Sequence, residues 1–254
     1  MSLCKDCIKG VTHDGAPEGK IEIIGGVECY VGTPTADFPK DKVLLMLTDA
    51  LGLPLVNNQL LVDDFAKNGF KTILPDYLHG DPIPASVMVG VSDAMVGTVF
   101  DIGKWFTTHG TADTRPLLDK VIAALKADGV TTFGAVGYCF GGRYVFDLAC
   151  DGVISAAATS HPSLLQIPAD LEKYVATAKA PLLINSCTVD SQFPIEAQAQ
   201  ADKIFASFAP GYKREYFEGC THGFAVRGDL NDPKVKAAKE AAFAVTVEWL
   251  LKYL

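Results

Sequence analysis

One cysteine in this chain stands where a nucleophile can be made. The run Gly137-Tyr138-Cys139-Phe140-Gly141-Gly142 follows the apolar stretch Thr132–Val136, and a helical pattern begins directly after it. Strand, sharp turn and helix in that order describe a nucleophile elbow. The reactive residue is carried at the tip of a strained turn, and flanking glycines let strand and helix approach closely. At the tip, a thiol also sits beside a helix N-terminus, whose N–H groups favour the thiolate. The competing reading is a buried structural thiol, with the glycines serving only helix–strand packing.

A cysteine nucleophile needs a base, and the base an acid to orient it. Both follow in the order that an elbow of this kind uses, nucleophile then acid then histidine. Asp190 falls just beyond the apolar run Pro181–Ser186, and His222 lies in Glu218-Gly219-Cys220-Thr221-His222-Gly223-Phe224, before the last helical pattern. Asp190 read alone is equally a turn residue or a cap ahead of Phe193-Pro194. His161, in Ser160-His161-Pro162, is the serious rival to His222 as base and otherwise a lining or packing residue. His79, His13 and His109 sit in loop-like sequence. Acyl transfer also needs donors for the developing oxyanion: one from the N–H of Phe140, the other from the loop Thr48-Asp49-Ala50-Leu51-Gly52.

The elements that must position these residues alternate between short β-rich runs and helical patterns. Lys20–Val31 alternates apolar and polar residues around Gly25-Gly26 and reads as an antiparallel edge hairpin. Val43–Leu47, Lys71–Leu74, Thr132–Val136, Val153–Thr159, Pro181–Ser186 and Lys213–Phe217 read as strands. Leu60–Lys67, Arg143–Cys150, Ile195–Phe208 and Pro233–Tyr253 read as helices between or after them, the last capped by Asn231 or Asp232. Right-handed crossovers then give a mostly parallel central sheet flanked by helices, an α/β class with an antiparallel N-terminal hairpin. From His79 to Arg115 the rhythm breaks, with Pro and Gly scattered among Met88, Val89, Phe100, Trp105 and Phe106. That segment is either an irregular outer connection or an apolar cap over a pocket, with Trp105 a candidate substrate contact. Arg143, early in the helix after the elbow, is another.

Composition bounds the rest. At 254 residues, with 49% hydrophobic and 20% charged residues, the chain builds a substantial core and is expected to form one domain over 1–254. A net charge of -8 argues against nucleic acid and anionic membrane surfaces as partners. No apolar stretch reaches the roughly 18 residues of a membrane span. The expected location is the cytoplasm, where seven scattered cysteines remain free thiols. Cys4 and Cys7, with His13 nearby, have no apparent fourth ligand, so no metal is expected. No phosphate-binding glycine loop follows the first strand, and no cofactor is expected.

These residues resemble dienelactone hydrolases, the Cys-His-Asp branch of the α/β-hydrolase fold, and particularly their fungal-type members. The carriers are Asp49-Ala50-Leu51-Gly52, Lys71-Thr72-Ile73-Leu74-Pro75-Asp76-Tyr77, the cysteine elbow itself and Thr221-His222-Gly223-Phe224. The resemblance implies a triad of Cys139, Asp190 and His222, with the N–H groups of Ala50 and Phe140 as oxyanion hole. It places Asp49 where bacterial members carry a glutamate that gates the nucleophile, and sets Arg227 one residue away from an arginine that holds a substrate carboxylate. The expected activity is hydrolysis of a small ester or lactone through an acyl-enzyme. A thioesterase or another reaction on the same fold, and a non-enzymatic binding or regulatory relative, remain the alternatives. The natural substrate and the oligomeric state are left open.

Overall fold

The structure is a computed structural model, and it describes residues 10–88 and 100–254. Cys4, Cys7 and Val89 lie outside these, as does the side chain of Met88. Strands β1 (Lys20–Ile24) and β2 (Val27–Gly32) form the expected hairpin. They are followed by β3 (Lys42–Leu47), β4 (Thr72–Pro75), β5 (Thr132–Tyr138), β6 (Ala156–Ser160), β7 (Leu182–Val189) and β8 (Tyr212–Thr221). All join one sheet in the order β1-β2-β4-β3-β5-β6-β7-β8. The β1/β2 and β2/β4 pairs are antiparallel, and every later pair is parallel.

The central strands are apolar on both faces because helices cover both. β5 and β6 are buried almost throughout, as strands of a doubly covered parallel sheet must be. On one face, Leu45, Ala135, Ala157 and Ile184 meet the helices α3 (Thr111–Ala127), α4 (Phe140–Cys150), α5 (Ala169–Thr177) and α6 (Ile195–Ile204). On the other, Leu44, Met46, Val136, Ala158 and Leu183 meet α1 (Val56–Lys67), α7 (Phe224–Arg227) and α8 (Pro233–Tyr253). Of the two cap candidates for α8, Asp232 takes the role, accepting from the N–H groups of Lys234 (2.8 Å) and Val235 (3.5 Å).

Within the irregular segment, the short helix α2 (Ile102–Phe106) packs its one buried side chain, Trp105, inward. The indole is 6% exposed, donates to Asp81 O at 2.7 Å, stacks on His109 and meets Phe140 edge-on at 5.8 Å. Trp105 thus packs in the core and braces the residue next to Cys139, and its edge also lines a cleft with Phe100, Asp101 and Lys104.

Candidate active site

Strand ends bring the candidates together. In the parallel register Leu47 of β3 lies opposite Gly137 of β5, so the loop carrying Asp49 and Ala50 and the elbow carrying Cys139 leave the sheet side by side. The approach is close enough that a Cβ at Gly141 would overlap Leu47 O, and one at Gly137 would lie 2.6 Å from Gly141 O. Cys139 itself has φ 50° and ψ -111°, the left-handed strain that an elbow imposes on a non-glycine residue. Backbone bonds fix it there: Cys139 N donates to Ser160 O at 3.2 Å, and Cys139 O accepts from Gly142 N at 3.0 Å and Ser163 N at 2.9 Å.

After a register shift between β7 and β8 at Cys187/Val189 the strands pair once more, Val189 with Thr221, so that Asp190 and His222 leave the sheet side by side. His222 N donates to Val189 O at 2.8 Å, and its Nδ1 donates to Asp190 Oδ1 at 2.9 Å. That oxygen is held in turn by the N–H groups of Gln192 (2.9 Å) and Phe193 (3.1 Å). The imidazole also hydrogen-bonds Cys139. Both side chains of the Asp190–His222 pair are almost completely buried. Burial alone would lower the histidine's pKa. The facing Cys139 sulfur and the Asp190 carboxylate outweigh that and hold it well above the usual 6.5. The arrangement can therefore carry an imidazolium against a thiolate, ready to exchange one proton.

The rival histidine sits alongside. His161 is fully buried and packs edge-on against the His222 ring at 4.9 Å, between Tyr138 and Phe224. Neither of its ring nitrogens has a hydrogen-bond partner among the described residues. Burial, then the charge of His222, pushes its pKa well below 6.5. Of the other histidines, His13 bonds Gly228 O, His79 bonds Asp113 O, and His109 bonds Trp105 O.

The candidate substrate arginines are both committed elsewhere. Arg143 reaches Asp147 and Asp170. Arg227 runs through the interior to Asp49, in an ion pair with both side chains wholly buried. Asp49 also accepts from Leu51 N and Asn58 Nδ2, each at 3.2 Å. Burial raises the Asp49 pKa, Arg227 opposes the rise, and the neighbouring Cys139 adds to it. Asp49 thus stands within electrostatic range of the sulfur while its oxygens are shared among other donors.

Sequence reasoning missed Ser163. Its buried hydroxyl lies 3.4 Å from Cys139 Sγ, and the signal was the one that drew attention to His161: a polar loop after the strand adjoining the elbow strand.

Fold and site together define an α/β-hydrolase. The family model for the dienelactone hydrolase family matches residues 27–254, and the chain belongs to that family and is a carboxylic ester hydrolase. It is 34% identical over 252 residues to Dienlactone hydrolase 1 of Gibberella moniliformis, covering 98% of this chain and 92% of that one. It is 32% identical over 249 residues to Hydrolase pyvD of Aspergillus violaceofuscus, covering 98% and 96%. The crystal structure of dienelactone hydrolase from Anabaena variabilis superposes with a TM-score of 0.60 over 95% of this chain and all of that one, at 12% identity, a likeness of fold. Among the described residues, no helix is long and apolar enough to cross a membrane.

Proposed function

We propose that the chain hydrolyses small neutral esters or lactones through a thioester on Cys139. The observation that carries this reading is His222, buried and hydrogen-bonded to Asp190 on one side and to Cys139 on the other. The thiolate attacks the carbonyl carbon while the N–H groups of Ala50 and Phe140 hold the developing oxyanion. The C–O bond then breaks and the leaving alkoxide takes its proton from the His222 imidazolium. With a lactone, that alcohol stays attached to the acyl chain. His222, now neutral, removes a proton from water as it attacks the thioester, and the acid leaves as the sulfur is regenerated. Asp190 keeps the imidazole in one tautomer and stabilises its charge.

Charge supports a neutral substrate. Arg115, Arg143, Arg214 and Arg227 are all the arginines of the chain, and each is held by a carboxylate: Asp119 and Asp151, Asp147 and Asp170, Asp202, and Asp49. An arginine clamp for a substrate carboxylate would have to draw on one of these pairs. We assign the partner as a small molecule, with no nucleic acid or membrane. No disulfide joins the described cysteines, which suits a reducing cytoplasm in which the nucleophile stays active. The test is a side-by-side assay of aryl esters, small lactones and acyl thioesters, followed by mass spectrometry of the protein quenched during turnover. The expected result is turnover of esters or lactones with an acyl mass on the peptide containing Cys139. Turnover of thioesters alone would reassign the reaction, and an acyl group on another residue would remove the cysteine mechanism.

A further inference from the structure

Cys139 is approached by one more polar side chain than the proposed mechanism uses. Ser163 is fully buried, its hydroxyl directed at Cys139 Sγ at 3.4 Å, a normal distance for a hydrogen bond to sulfur. Its position is fixed from several sides. Ser163 N donates to Cys139 O at 2.9 Å, and Cys139 N donates back to Ser160 O at 3.2 Å, so the loop after β6 is laced to the elbow at both ends. His161, midway along it, takes φ 41°. A Cβ on Gly142 would lie 2.7 Å from the Pro162 ring, which shows how tightly the loop lies against the first turn of α4. These contacts hold the Ser163 backbone against the elbow, from where its hydroxyl reaches the sulfur.

The charges around the sulfur explain what such a donor would do. His222, backed by Asp190, supplies a positive neighbour. Asp49, held by Arg227, disfavours negative charge on the sulfur, while the buried Tyr77, whose hydroxyl donates to Thr48 O, and His161, packed on His222, stay neutral. A thiolate beside a buried carboxylate needs a donor other than the imidazolium, which must be free to give its proton to the leaving group.

We propose that Ser163 is a catalytic residue whose hydroxyl donates a hydrogen bond to the Cys139 thiolate, holding it charged and aimed while His222 acts on the substrate oxygen. A charge-assisted hydrogen bond of this kind is worth about tenfold in the thiolate population, or about one pH unit in its titration. The inference rests on Cys139 as nucleophile, but its test does not depend on ester turnover. The rate of alkylation by iodoacetamide, in which the sulfur–carbon bond forms as iodide leaves, is measured against pH for the intact protein, Ser163→Ala and Ser163→Thr. The midpoint should rise by about one unit in Ser163→Ala and return toward the original in Ser163→Thr, which keeps the hydroxyl. A folded Ser163→Ala with an unchanged midpoint would overturn the proposal. Should that variant not fold, the unaltered protein still decides the matter by NMR. A bonded Ser163 hydroxyl proton exchanges slowly and its resonance shifts when Cys139 is alkylated, and a proton that ignores alkylation would contradict the proposal. Absence of any ester hydrolysis would instead sink the functional reading and leave the sulfur titration intact.

Discussion

At the scale of single residues, burial sorts chemically similar groups into different roles. His222 and His161 lie with rings 4.9 Å apart, yet one is held protonated by the Cys139 sulfur and Asp190, and the other is kept neutral by burial and by the first. The sign of the consequence for stability can be worked out. His161 has a folded pKa below its unfolded value, so its contribution is present above about pH 6.5 and is lost as pH falls below that. His222, raised in the folded state, is protonated in both states below pH 6.5 and adds no slope there. Replacing His161 with Phe should therefore flatten the acid side of the stability curve. Urea denaturation of the two proteins at stepped pH below neutrality should show the wild type losing up to ~1.4 kcal/mol more per unit, and parallel curves would contradict the assignment. Cys139, Asp190 and His222 could be picked out of the sequence because each sits at a strand end or in a glycine-bracketed loop. The Asp49–Arg227 pair could not, since nothing local joins two residues so far apart along the chain.

At the scale of elements, close approach is what the elbow glycines provide. Gly141 lies so near Leu47 that any side chain must push β3 and α4 apart, and that movement displaces both the Ala50 and the Phe140 N–H groups. Gly141→Ala should cost about 2 kcal/mol by overpacking and lower kcat on every ester alike, with KM changed less. Loss of activity on only one substrate would mean that the glycine serves a pocket contour instead. Trp105 gives the opposite case. Buried against His109 and Phe140, Trp105→Ala should lower stability by about 3 kcal/mol, seen as a drop in thermal midpoint, whereas an unchanged midpoint with a raised KM would return it to the pocket wall. The central strands were legible from apolar runs because helices bury both of their faces. Helix α5 was not, since Ala169–Thr177 presents only Leu171 and Tyr174 to the core, too few for a helical period to stand out.

At the scale of the whole molecule, charge sets what can arrive and stay. The chain carries a net -8, and its arginines are bound to carboxylates of its own. A neutral ester should therefore be cleaved with kcat/KM on the order of tenfold higher than the same ester bearing a free carboxylate. The gap should narrow as added salt screens the field. Equal rates at low salt, or a preference for the anion, would contradict this and point to a cationic contact outside those ion pairs, such as a lysine.

The central claim is that Cys139 is the nucleophile, and it is tested most directly by kcat/KM on an activated ester for the wild type, Cys139→Ser and Cys139→Ala, with circular dichroism confirming the fold of each. A hydroxyl must lose its proton during attack, and its shorter bonds leave the oxygen short of both His222 and the carbonyl, a misplacement of about 1 Å that can cost on the order of a hundredfold. Both variants should fold, the serine retaining a small fraction of the activity and the alanine essentially none. Wild-type rates in Cys139→Ala would contradict the account.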